Sequence, residues 1–222
     1  EPITGQDLIS WRDNIAAEAE QTLDLLRDSF DRLGEREQKA ATVLLRRRRG
    51  LVNRIGRLAP AAVKAAKTRY HGDYHLGQVL IAENDFLIID FEGEPARPLA
   101  ERRAKHSPLR DVAGMLRSFA YAAAVVAMRE SDNRPAELSN LERLTGFWER
   151  LAAESFLAGY RAGVGQAACA PSRADHSRRL VELFTLEKAL YETRYELDNR
   201  PAWTGIPLQG LLSLQDAQRS GD

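Results

Sequence analysis

From Leu8 to Leu33 an apolar side chain returns every three or four residues, through Trp11, Ile15, Ala19, Leu23, Leu26 and Phe30. A repeat of that period puts all of them on one stripe, so residues 5–33 are expected to form a helix that buries it. Thr4 offers an N-cap hydroxyl, and Gly34 ends the pattern where a C-cap glycine belongs. The stripe is expected to pack on a second helix over about 35–58, with Pro60 setting off a short third helix to about Lys67. The period returns later. A helix starting near Pro108, capped by Ser107, would bury Leu109, Val112, Leu116, Phe119 and Ala123 until Asn133-Arg134-Pro135 breaks it. Further helices are expected over about 138–162 and 175–198, the last stopped by Pro201 and Pro207, with a short apolar segment over 208–214.

One stretch departs from this pattern. Gln78-Val79-Leu80-Ile81 reads as a short strand, Glu83-Asn84-Asp85 as a turn and Phe86 to Asp90 as the returning strand. The fold class expected is therefore mainly α with one small β-hairpin. Before the hairpin lies His71-Gly72-Asp73-Tyr74-His75-Leu76-Gly77-Gln78, a polar loop with an aspartate between two histidines. The returning strand ends in an acid, as a buried strand delivering a carboxylate to a site would. Asp73, Gln78 and Asp90 are spaced as a phosphotransferase would space a base and two magnesium ligands. Magnesium takes hard oxygen donors and leaves positions for substrate phosphates, and the base must hold the acceptor hydroxyl in line with phosphorus. Two other readings stay open on these residues. Asp73 could cap a turn while Asp90 pairs with Arg97, Arg102 or Arg103, or His71, Asp73, His75 and Asp90 could hold a transition metal.

Composition narrows the classes further. The 222 residues suit one or two domains, and 44% hydrophobic with 29% charged residues is the balance of a soluble globular protein. A net charge of zero gives no global field toward nucleic acid or membrane, and neither is expected as a partner. The run Arg46-Arg47-Arg48-Arg49 reads as a solvated helix face or an anion patch. A single cysteine, Cys169, excludes an intrachain disulfide and fits a reducing, cytoplasmic setting. No apolar run is read as reaching transmembrane length. The chain opens at Glu1-Pro2 without Met, as a piece of something longer would.

These motifs carry a resemblance. His71–Gln78 looks like the catalytic loop of maltokinases, in the aminoglycoside-phosphotransferase-like branch of the eukaryotic-type kinase fold, and residues 89–95 resemble their metal-binding segment. Residues 108–119, Glu187-Lys188-Ala189-Leu190-Tyr191-Glu192 and Asn199-Arg200-Pro201 also look like that family. The run from Tyr195 to Pro201 is most similar to maltokinase modules fused to trehalose synthases. Gln78 departs from the asparagine usual in the wider kinase family but agrees with maltokinases.

The resemblance implies a kinase C-lobe over 1–222, divided into a helical segment (1–69), a catalytic loop and metal-binding hairpin (70–94) and a helical acceptor-binding part (95–222). It implies ATP and magnesium as cofactors and transfer of the γ-phosphoryl group to maltose, giving maltose 1-phosphate. Asp73 would be the base, Gln78 and Asp90 the magnesium ligands and Glu92 a helper at the nucleotide, with His71 and His75 shaping the loop. Glu187, Lys188, Tyr191 and Tyr195 would contact the sugar. No Gly-rich loop or strand-borne lysine precedes His71, so an N-lobe is expected to be missing and the chain alone to be inactive. Two alternatives are a kinase of glucosamine or another sugar, and a non-catalytic docking or regulatory module of a trehalose synthase fusion.

Overall fold

Thr4 starts the first helix through a reciprocal cap. Its hydroxyl accepts from the Asp7 N–H at 3.1 Å, and the Asp7 carboxylate accepts from the Thr4 N–H at 2.8 Å. Helix α1 (Gly5–Asp28) stops before the stripe does, and a 3-10 turn, Phe30–Arg32, carries the chain onward. Gly34 is then extended (φ −65°, ψ 162°) and is the N-cap of α2 (Glu35–Arg46), not the C-cap of α1. Arg47 leaves helical geometry (φ −94°, ψ 9°), so the expected second helix is two, α2 and α3 (Arg48–Leu58). The short third helix is absent. Ala59, held extended ahead of Pro60 (ψ 120°), begins an irregular passage through residue 69.

The remaining elements are β1 (Val79–Ala82), β2 (Asp85–Ile88), α4 (Leu99–Arg103), α5 (Leu109–Asn133), α6 (Leu138–Val164), α7 (Ala174–Asn199) and α8 (Gly205–Asp216). Residues 1–95 and 97–216 are described in this computed structural model. They fall into two compact units, each drawn from two separated stretches: Glu1–Pro2 with Ala65–Ser172, and Ile3–Lys64 with the residues from Arg173.

In the unit built from both ends of the chain, α1 packs on α3 and α7, and α8 packs on α2 and α7. The stripe read from the sequence supplies the core: Leu8, Ile15, Leu23 and Leu26 are buried, with Leu44, Leu51, Ile55, Leu183, Phe184 and Leu208. Each such side chain contributes about 1.5–3 kcal/mol through burial. Trp11 meets the Phe184 ring edge-on at 5.5 Å. Arg54 is buried and donates to Glu182 at 2.6 Å, so its charge is withdrawn from water only in company.

In the other unit, α5 packs along α6. Helix α5 buries Leu109, Val112, Ala113, Met115, Ala123 and Ala127, whereas α6 buries no side chain fully. By length and composition alone, Leu109–Glu130 would suffice to cross a membrane (mean hydropathy 1.3), a correction to the reading of the apolar runs. Its partner helix and buried face are equally those of a core helix.

Strands β1 and β2 form an antiparallel ribbon with Val79 opposite Ile88 and Ala82 opposite Asp85. Neither strand is buried: Leu80 and Ile81 on β1, and Phe86, Leu87 and Ile88 on the returning strand β2, are all exposed, Ile81 to 78%. Apolar content predicts a preference for burial, but an isolated two-stranded ribbon has two open faces and no second layer.

Candidate active site

The loop after Tyr70 is organised by its glycines and histidines. Gly72 takes φ +86° and Gly93 φ +77°, conformations open to glycine at little cost. A Cβ on Gly72 would lie 3.2 Å from the Cα of Gly93, so the catalytic loop and the segment after Asp90 touch backbone to backbone. The His71 ring fills the space around this contact, 4.9 Å from the Phe91 ring and 5.5 Å from Tyr74.

Hydrogen bonds fix the tautomers of both histidines. His71 Nδ1 accepts from the Asp73 N–H at 3.3 Å, which leaves the proton on Nε2 to donate to the Ile89 carbonyl at 2.8 Å. One buried ring thereby joins Asp73, the candidate base, to the residue before Asp90, the candidate metal ligand. His75 Nδ1 accepts from the Gly77 N–H at 3.0 Å, so Nε2–H faces the Asp73 carboxylate, 3.7 Å away.

Gln78 lies in a 3-10 turn, Leu76–Gln78, rather than at the start of a strand, and its Nε2 donates to Asp90 Oδ2 at 3.0 Å. Asp90 sits beyond the end of β2 in a left-handed conformation (φ +62°), which aspartate tolerates better than most residues. Of the arginines expected to pair with Asp90, Arg102 donates to the Glu92 carbonyl at 3.3 Å and Arg97 lies 3.7 Å from Glu101. Glu92 itself is exposed. Among the described residues no three His, Cys, Asp or Glu side chains gather as a metal cage. The transition-metal reading fails for a local reason, since both ring nitrogens of His71 are already used in hydrogen bonds. An amide and a carboxylate held together fit magnesium better, because that ion keeps several positions for water and phosphate.

A carboxylate that the sequence reading left without a role anchors the loop. Asp111, in the first turn of α5, accepts from the backbone N–H groups of His71 (2.7 Å) and Gly72 (2.9 Å). Burial pushes its pKa up despite these two bonds.

The sugar-contact candidates occupy α7, in the other unit. Glu187 is buried and Lys188 Nζ lies 4.9 Å from the Tyr191 ring centre. Tyr191 and Tyr195 stack at 6.3 Å. The row continues through residues that went unread: Arg200 packs over Tyr195 (5.5 Å) and Trp203 (4.7 Å) while donating twice to Glu196, at 2.9 and 2.7 Å. Their signal was the i, i+4 spacing from Tyr191 to Tyr195 to Asn199, which brings the residues around Pro201 onto the same side.

No family model matches the chain. Over 220 residues it is 33% identical to a glucosamine kinase of Mycolicibacterium smegmatis, covering 97% of this chain and 48% of that protein. A glucosamine kinase of Streptacidiphilus jiangxiensis is 30% identical over 144 residues, 65% of this chain and 31% of that protein. Two solved structures superpose closely at 24% identity. A glucosamine kinase in complex with glucosamine, ADP and inorganic phosphate gives a TM-score of 0.75 over 96% of this chain and 46% of that one. A crystal form of glucosamine kinase gives 0.76 over 100% and 49%. The chain spans about half the length of the curated relatives it matches.

The shared fold is that of half a glucosamine kinase. This corrects the resemblance to maltokinases: the relatives found act, by name, on glucosamine. The motifs that suggested maltokinases were read as a base and phosphate-side ligands, which kinases of different sugars need alike, so they could not identify the acceptor. It also corrects the fold assignment, a C-lobe of the aminoglycoside-phosphotransferase type lacking its N-lobe. The helices and hairpin were readable one by one, but their assembly superposes on a solved glucosamine kinase over the whole of this chain. A fused trehalose synthase and a missing N-lobe find no support in these relatives.

Proposed function

We propose that this chain carries the base, the magnesium ligands and the acceptor contacts of an ATP-dependent glucosamine kinase. The observation that supports this most is the 33% identity to a glucosamine kinase along 97% of the chain, site included. Asp73, half-buried between His71 and His75, is the base. It accepts the proton of a sugar hydroxyl as that oxygen bonds to the γ-phosphorus and the bond to the β-phosphate oxygen breaks. His75 Nε2 lies 3.7 Å from the carboxylate, and His71 sets the backbone of Asp73 against that of Ile89. Gln78 and Asp90 would hold magnesium, which when bound draws negative charge off the β- and γ-phosphates. The Gln78 amide donates to Asp90 through its nitrogen, so its oxygen is the atom that would bind a cation. Glu92, exposed in the next turn, assists at the nucleotide.

An amino sugar asks more of its site than a neutral one does. Its ammonium needs a carboxylate and its ring faces need an apolar or aromatic wall. Helix α7 offers both: Glu187 and Glu192 are buried acids, and Tyr191 and Tyr195 present stacked rings beside Lys188. These residues are assigned to the acceptor.

The test is phosphoryl transfer by the full-length protein with ATP and magnesium, following ADP and sugar phosphate. Release of ADP that depends on glucosamine, and that Asp73→Asn abolishes, is expected. Turnover of maltose without turnover of glucosamine, or activity that survives Asp73→Asn, refutes the proposal.

A further inference from the structure

Helices α2 and α8 belong to the unit built from both ends of the chain, are 12 residues long each and lie against one another. They run in the same direction. Glu37, in the first turn of α2, reaches the start of α8, where a Cβ on Gly205 would lie 2.9 Å from its Oε1. At the other end Arg47, the C-cap of α2, donates to Asp216, the last residue of α8, at 2.7 Å.

Neighbouring helices of one direction bring two positive N-termini together and two negative C-termini together, which is unfavourable without counter-charges. Neither N-terminus has a side-chain cap. Helix α2 begins at Gly34 with no side-chain cap bond. The Thr204 hydroxyl, buried just before α8, has no hydrogen-bond partner among the described residues. The Glu37 carboxylate stands at both starts: Oε2 fills the space beside Gly34, 2.5 Å from where a Cβ would be, while Oε1 lies over Gly205. Arg47 supplies the opposite charge at the two C-termini.

The start of α8 bears on the acceptor side. Arg200 is the C-cap of α7, and only the 3-10 turn Pro201–Trp203 and Thr204 separate it from Gly205. So short a link passes any shift of α8 to Trp203, whose ring lies 4.7 Å from the Arg200 guanidinium, and through Arg200 to Tyr195 at 5.5 Å. We infer that Glu37, with Arg47 at the far end, forms a clasp that fixes where α8 begins and so positions Trp203 and Arg200 in the acceptor row. As regards the acceptor, this rests on the kinase reading above. As regards position, it rests on the contacts alone. Glu37 and Arg47 act through α8, so each is a positioning residue.

Two measurements on the full-length protein separate these layers. Hydrogen–deuterium exchange of peptides spanning 200–210 reads the clasp without any activity. Glu37→Ala and Gly205→Ala are expected to speed exchange there and to leave peptides spanning 70–78 unchanged. Steady-state kinetics with glucosamine and ATP read the consequence. Glu37→Ala is expected to raise KM for glucosamine about tenfold, the scale of a charge lost from partly buried helix ends, with kcat and KM for ATP within about threefold. Glu37→Gln, which keeps the shape and loses the charge, should fall between wild type and Glu37→Ala. Arg47→Ala should raise the same KM about twofold, and Arg47→Lys should restore it. Wild-type exchange in every variant, faster exchange with unchanged KM for glucosamine, or equal losses in kcat and both KM values would overturn the inference. Should Glu37→Ala or Gly205→Ala fail to fold, Glu37→Gln and the Arg47 pair decide. A wild-type protein inactive on glucosamine would remove the kinase reading, and exchange would then decide the clasp by itself.

Discussion

The catalytic loop and helix α7 hold their polar residues by opposite means. The loop is irregular and is fixed through its backbone: N–H groups of His71, Gly72, Asp73 and Leu76 all donate to side chains, and Gly72 and Gly93 meet without side chains between them. On α7 the backbone is spent on the helix itself, and the exposed row is fixed through side chains, by stacked tyrosines and the cations beside them. A backbone-held site tolerates little change in sequence, whereas a side-chain row can be re-cut one residue at a time. The phosphate side should therefore respond to substitution through kcat, and the acceptor side through KM.

Removing the base should have the largest effect. General-base catalysis typically supplies 10²–10⁴-fold, so Asp73→Asn is expected to lower kcat about 1,000-fold with unchanged melting temperature. A loss shared equally by KM would blur the contrast between the regions. Gly72→Ala comes next. It forces a side chain into a left-handed backbone, at a cost of about 1–2 kcal/mol, and against Gly93 at 3.2 Å. Calorimetry should show a lower melting temperature, and kinetics a lower kcat at constant KM. Third, Glu187→Gln and Tyr191→Ala should raise KM for glucosamine about 10–100-fold, as expected when a contact to a charged group worth about 1.5–3 kcal/mol is lost. The KM for ATP is the control, and an equal rise there would place these residues elsewhere.

The smallest effect concerns Tyr160. Its hydroxyl is buried with no hydrogen-bond partner among the described residues, and burial above all pushes its pKa up to about 12. Since the folded value exceeds the ordinary one, the stability this group contributes is whole below a pH of about 10. It is lost as pH rises through the folded value. Tyrosinate absorbance should show a late-ionising tyrosine that Tyr160→Phe removes, and a normal titration would contradict the burial.

What could be read in advance follows from which physics is local. The stripe from Leu8 to Leu26 was legible because helical periodicity is written in consecutive residues. Gly34 was read at the wrong end of a helix because glycine suits either cap and only its φ, ψ decides. Asp73, Gln78 and Asp90 were read as a set, and the structure brings the latter two within hydrogen-bond distance. The left-handed turn that carries Asp90 and the exposed faces of the hairpin depend on what packs around them. Asp111 was quoted within a motif yet given no role, since its partners are backbone groups forty residues earlier. The acceptor was the least legible feature: motifs that look like those of maltokinases stand in a chain whose relatives are named glucosamine kinases.

The two units are threaded through one another in sequence, and a ribosome delivers sequence in order. Helices α1 to α3 emerge before the α7 and α8 surfaces that cover them, with the whole stretch Ala65–Ser172 in between. The middle unit can therefore close around α5 while Leu23 and Leu44 still wait, uncovered, for their partners. Helices α1 to α3 are therefore the part of this chain that waits longest for its cover, and the part with most to gain from a chaperone.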